Sequence, residues 1–141
     1  MLQVINEHYV WDKTDDFGIA PFFNCKEFSC HCSNSSCVSQ RISVDLLNRL
    51  VNIRMQLGSP LVINSAYRCH EYQKQLAAQG FETAKGVSQH ELGNAVDVRA
   101  KDMTTLNRLL AREFKALGKA NTFIHVDTRN DKQRRWSYTS R

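Results

Sequence analysis

Ser88-Gln89-His90-Glu91-Leu92-Gly93-Asn94-Ala95-Val96-Asp97 carries a polar turn into a short apolar run. Gly93 lets the backbone turn tightly between His90 and Asp97, so both side chains can meet at one point. Residues 94–98 (NAVDV) read as a strand, rich in β-branched and apolar side chains. A neutral imidazole and a carboxylate are sound ligands for Zn²⁺, which takes four ligands and keeps one position open when catalytic.

A third ligand must come from elsewhere in the chain. Residues 122–128 (TFIHVDT) read as a later strand. Its alternation puts Phe123, His125 and Asp127 on one face and Ile124 and Val126 on the other. The apolar face can meet helices while His125 and Asp127 face a cleft. Two histidines and an aspartate suit hydrolysis, because a divalent ion lowers the pKa of its water to about 7 and polarises a carbonyl. His8, His31 and His70 lack such company and are read as ordinary core or surface histidines.

The elements around these two strands follow the same logic. Residues 43–57 (SVDLLNRLVNIRMQL) carry a helical period, with Val44, Leu47, Leu50, Val51, Arg54 and Leu57 on the core side, Ser43 as N-cap and Gly58 as the stop. Residues 60–65 read as a strand. Residues 70–79 read as a short helix ended by Gly80, and residues 81–90 as a polar loop. A second amphipathic helix is expected over residues 103–117, stopped by Gly118. The alternation of helix and strand implies an α+β fold, a small antiparallel central sheet with flanking helices. One domain is expected over residues 1–141, with residues 1–40 an irregular, Cys-containing segment packed on it.

Ser65-Ala66-Tyr67-Arg68-Cys69, the S-x-H-x-x-G-x-A-x-D pattern from Ser88 to Asp97, and His125-Val126-Asp127 together resemble the M15 zinc peptidases. These comprise D-alanyl-D-alanine carboxypeptidases and phage L-alanyl-D-glutamate endopeptidases. The resemblance extends to Glu27-Phe28-x-Cys30, to Leu47, Leu50 and Arg54, and to a late Trp136. It implies a Hedgehog/DD-peptidase-like fold with one catalytic Zn²⁺ on His90, Asp97 and His125. Arg68 falls on the family's arginine, whose planar fork of donors suits a developing oxyanion or a peptide carboxylate. Ser88 and Gln89 sit beside the first ligand, where they can orient it or touch substrate, and Tyr67 is a candidate substrate contact.

The chain departs from the family at the proton acceptor. Many members carry an acid three residues before the last histidine ligand, and here that residue is Thr122. Asp127 is the provisional base. It is alternatively the partner that fixes a ligand imidazole, or a ligand itself with His125 as base. Glu91, beside His90, is a further candidate.

Composition sets the remaining expectations. The chain has 19 basic and 14 acidic residues, for a net charge of +5. That is a modest bias towards anionic partners, and no nucleic-acid module accompanies it. The basic residues Arg129, Lys132, Arg134, Arg135 and Arg141 read as a solvated face. No apolar run approaches the roughly 18 residues of a membrane span, and the first residues show no secretory leader. A monomer is expected, made in the cytoplasm and released onto peptidoglycan by lysis machinery or carried in a virion. The short form resembles phage and prophage members. Five cysteines, at 25, 30, 32, 37 and 69, are an odd number. Buried thiols or one or two disulfides are expected in preference to a second, structural zinc at Cys30, Cys32 and Cys37 with Cys69 as a distant fourth ligand.

Overall fold

The computed structural model describes residues 2–84 and 86–138; Arg141 of the expected basic face lies outside them. Three helices and antiparallel-rich sheets form the expected α+β fold. The chain opens on β1 (Gln3–Ile5) and β2 (His8–Asp12), then β3 (Gly18–Ala20), β4 (Phe23–Asn24) and a 3₁₀ turn (Cys25–Phe28). It continues through β5 (Ser39–Ser43), α1 (Val44–Leu57), β6 (Val62–Ser65), α2 (His70–Ala78) and β7 (Ala95–Arg99). The last elements are α3 (Met103–Glu113), β8 (Ala116–Lys119), β9 (Ile124–Asp127) and β10 (Arg134–Ser137).

The main sheet has the order β10-β8-β9-β7-β6. It is antiparallel except at its β8–β10 edge, which is parallel. Val96, Val98, Ile124, Val126 and Leu117 are buried in one apolar cluster with the inward residues of α1 and α3. Each such side chain contributes roughly 1.5–3 kcal/mol when fully buried. The alternate residues of β7 and β9 therefore point to the opposite face, and that face carries the polar site.

α1 starts and stops where expected. The Ser43 hydroxyl accepts the Leu46 N–H at 3.1 Å, and Gly58 closes the helix at φ +69°. Its buried stripe is Leu46, Leu47, Leu50 and Ile53. Val44, Val51, Arg54 and Leu57 are only half-buried, so the helix is rotated from the expected face. Arg54 instead lays its guanidinium over the Phe22 ring at 4.5 Å.

Two segments differ in kind from expectation. The helix read over 103–117 ends at Glu113, Phe114 turns to extended backbone (φ −120°, ψ 134°), and 116–119 joins the sheet as β8. Pairing with both β9 and β10 outweighs the helical preference of that stretch. Within the 1–40 segment read as irregular, residues 3–24 carry four short strands. β1 and β2 form a hairpin on Asn6 and Glu7, both at positive φ (49° and 64°), and β5 adds a third strand. Glu7 lacks the glycine that ordinarily marks such a turn.

Candidate metal centre

One row of residues across the main sheet builds most of the site. Ser65 of β6 pairs with Asp97 of β7, Asp97 with His125 of β9, His125 with Gly118 of β8, and Gly118 with Trp136 of β10. Directly opposed residues share a face, so register alone brings Asp97 and His125 together.

His90 enters from the loop before β7. That loop is a tight turn: Glu91 N–H donates to the Ser88 carbonyl (3.0 Å), Gly93 N–H to the His90 carbonyl (3.2 Å), and Asn94 N–H to the Gln89 carbonyl (3.0 Å). Gly93 stands at φ +76°, and a Cβ there would come within 2.8 Å of the Arg41 side chain and 3.0 Å of its carbonyl oxygen. Its own carbonyl accepts the Ser43 N–H at 2.8 Å. Only glycine meets both the left-handed backbone and the close approach to β5.

The three side chains converge. His90 Nε2 is 3.2 Å and His125 Nδ1 is 3.0 Å from Asp97 Oδ1, and all three ligand atoms lie within 4.8 Å of one another. Ligand atoms about 2.0–2.1 Å from zinc at tetrahedral corners stand about 3.3 Å apart, so the spacing fits that ion. The hydrogen bonds agree. His90 Nδ1–H donates to the Ala66 carbonyl (2.7 Å) and His125 Nε2–H to Asp127 Oδ2 (2.9 Å). Each imidazole thus turns its other nitrogen towards Asp97. With those partners on their outer nitrogens, both imidazoles can present their inner nitrogens to the same point as Asp97 Oδ1, a donor set that suits a divalent cation. In the metal-free protein, burial pushes the His90 pKa down. Burial works against a charged His125 too, but hydrogen bonds to Asp127 and Asp97 outweigh it and raise that pKa. Burial likewise opposes ionisation of Asp97, and the adjacent histidines overcome it, holding the carboxyl well below its ordinary range.

The remaining candidates fall into place around this centre. Arg68 is buried and lines the cleft. Its Nη2 donates to Asp97 Oδ2 (2.9 Å), its Nε to the Ser65 hydroxyl (2.9 Å) and its Nη1 to Gln73 Oε1 (3.4 Å). It therefore touches the ligand carboxylate as well as the cleft. Ser88 and Gln89 line the cleft, and the Ser88 hydroxyl accepts the His90 N–H at 3.2 Å. Asp127 is wholly buried and not part of the cleft wall. Its Oδ2 accepts from His125 and from Arg129 Nη2, and its Oδ1 accepts from Arg129 Nε at 2.8 Å. Burial would raise its pKa, but His125 and Arg129 bring it down to about 2. Glu91 faces His70 (3.3 Å), Thr122 is exposed, and Tyr67 packs against the cysteines; none of the three lines the cleft.

The cleft encloses about 670 Å³. Besides Arg68, its wall carries Arg129, Lys132, Arg134 and Arg135, while its carboxylates are Asp97 and Glu82. Of the basic residues read as a solvated face, Arg129, Lys132, Arg134 and Arg135 thus border the site. Trp136, the late tryptophan of the resemblance, is a further wall residue, its ring centroid 5.3 Å from that of His125. Gly118, read as a helix stop, gives it room: a Cβ there would overlap the indole.

A family model, Peptidase M15, matches residues 21–127, most of the 141-residue chain and every residue of the ligand set. Comparison with curated proteins and with solved structures gives no match. With two imidazoles and a carboxylate gathered at the floor of a cleft inside the matched span, the chain belongs to the M15 peptidases.

Proposed function

We propose that this M15 peptidase hydrolyses amide bonds in the stem or cross-link peptides of bacterial peptidoglycan, as a D,D-carboxypeptidase or an endopeptidase. The observation that carries this reading is the His90, Asp97 and His125 trio at the floor of a basic cleft. Stem peptides bear free carboxylates, and the cleft wall offers Lys132 and Arg135 beside Arg68, Arg129 and Arg134, which are paired with Asp97, Asp127 and Asp131. A divalent ion on His90, Asp97 and His125 supplies Lewis acidity to water and to the scissile carbonyl.

The protein's own groups do the rest. Arg68 holds Asp97 with one N–H of its guanidinium and offers others to a carbonyl oxygen or a substrate carboxylate. The Ala66 carbonyl and the Asp127 carboxylate fix the two ring orientations. Asp127, buried behind His125 and clasped by Arg129, serves as this orienting partner and not as proton acceptor. The proton acceptor is Glu82, the one cleft carboxylate outside the ligand set among the described residues. The setting that fits is a phage or prophage lysis or tail-associated enzyme, made in the cytoplasm and acting on the wall after release.

The experiment is digestion of purified peptidoglycan. New free amino groups, with peptide fragments identified by mass spectrometry, are expected from wild type and not from His90→Ala. Binding to wall with no amino group released would favour the second reading, a zinc-stabilised wall-binding or virion module, for which the loss of an acid at Thr122 speaks.

A further inference from the structure

A second cluster of ligand-type side chains lies away from the histidines. The sulfurs of Cys30, Cys32, Cys37 and Cys69 all lie within 4.8 Å of one another, with Cys30–Cys69 at 3.8 Å and Cys32–Cys69 at 3.6 Å. Cys69, distant in sequence, thus meets the loop cysteines. A disulfide needs its sulfurs about 2.05 Å apart. Four thiolates about 2.3 Å from zinc at tetrahedral corners stand about 3.8 Å from one another. The spacing is that of a metal tetrathiolate.

Three of the four sulfurs are met by hydrogen-bond donors. The Cys69 N–H points at Cys30 Sγ (3.4 Å), the Gln40 amide at Cys37 Sγ (3.5 Å), and the Lys13 ammonium at Cys32 Sγ (3.3 Å). Lys13 is also anchored on the Cys32 carbonyl at 2.7 Å. The wholly buried Gln40 accepts the Cys30 N–H at 2.6 Å, so one side chain braces two of the sulfur-bearing residues. The lysine ammonium is the distinctive partner, since it suits a thiolate and not a thiol packed as an apolar side chain. Cys25 stands outside the group: it is buried in the main core, where its sulfur accepts the Phe17 N–H at 3.4 Å and its S–H donates to the Asp15 carbonyl at 3.3 Å.

We infer that Cys30, Cys32, Cys37 and Cys69 form a second metal centre, a closed tetrathiolate site for a structural zinc ion. Four protein ligands leave no position for substrate, which separates it from the histidine site. Three ligands come from the loop after the 3₁₀ turn, and the fourth follows Arg68 directly. Cys69 is also the N-cap position of α2, a helix without a side-chain cap. The ion therefore staples the N-terminal segment to the turn that carries Arg68, adding to the Tyr67 N–H bond to the Phe28 carbonyl (3.1 Å).

The test uses the full chain carrying His90→Ala and His125→Ala, which empties the first site whatever its function. Purified with a thiol reductant, this variant is expected to keep one zinc per chain, with only sulfur around it by X-ray absorption, and wild type to carry two. A variant with no zinc, or with nitrogen or oxygen neighbours around it, overturns the inference. Cobalt substitution of wild type is the second measurement. An intense thiolate-to-cobalt charge-transfer band supports the site, and its absence refutes it, because His90, Asp97 and His125 hold no sulfur. Both readouts are independent of peptidase activity.

Discussion

Trp136 packs against His125 from two strands away, ring centroids 5.3 Å apart, because the intervening strand presents Gly118 at that register. Arg129 joins the same group, its guanidinium 5.8 Å from the Trp136 ring and paired with the Asp127 that holds His125. The metal-facing imidazole is thus fixed by an indole on one flank and a carboxylate on its outer nitrogen.

Gly118→Ala should force the indole off His125. Overpacking of this kind costs roughly 1–3 kcal/mol. Thermal denaturation should show the loss, and the penalty should shrink in a Trp136→Ala background if the clash is its cause. An undiminished penalty in the double variant would place the damage elsewhere.

Asp127→Asn should retain zinc with roughly 10–100-fold weaker affinity, as for removal of a partner behind a histidine ligand. Asp97→Ala should abolish binding. Equal and complete loss in both would make Asp127 a ligand. In the metal-free protein, the shift of Asp127 from 3.8 to about 2 is worth about 2 kcal/mol, less some screening because Arg129 is a third exposed. The folded pKa is the lower one, so this stability is present above the ordinary carboxylate range and disappears as pH falls through about 2. Acid unfolding of wild type and Asp127→Asn should converge there.

Zinc retention should fall on acidification, and His125 should set where. Its pKa is raised in the metal-free protein, so a proton competes for the ligand nitrogen from a higher pH than the ordinary histidine value of about 6.5. His90, shifted down by burial, gives way only at lower pH. Equilibrium dialysis against pH measures this, and in Asp127→Asn the decline should begin at lower pH, from a weaker plateau affinity, because the partner that stabilises the imidazolium is gone.

Arg68→Lys should keep the metal and lose turnover by about 10²–10³-fold, since an ammonium cannot reproduce the fork that spans Asp97, Ser65 and the cleft. Glu82→Gln should lower kcat with little change in KM if Glu82 takes the proton. A steady-state comparison with Asp127→Asn separates the two carboxylates, and full activity in Glu82→Gln would remove it from that role.

Gly93→Ala meets two obstacles, the positive φ and the 2.8 Å approach to Arg41. A cost above about 1 kcal/mol is expected. Denaturant unfolding gives the magnitude, and a neutral result would show that the turn can relax without moving His90.

Local sequence carried a good deal of this protein. Ser43 and Gly58 bound α1 because capping is a matter of a few adjacent residues. The turn at Gly93 and the alternation of β9 were readable for the same reason, and with them the ligand trio. The misread segments are those whose partners are remote: 114–117 is helical by pattern but leaves the helix, with 116–119 a strand between β9 and β10, and the Asn6-Glu7 hairpin gains its third strand from residues 39–43. Tertiary structure alone decided that Asp127 is sealed behind His125, that Trp136 reaches across Gly118, and that Cys69 meets three cysteines over thirty residues away. A cap or a turn is stabilised by neighbours along the chain, whereas strand register and side-chain convergence depend on which distant backbones share hydrogen bonds, and no local pattern records that.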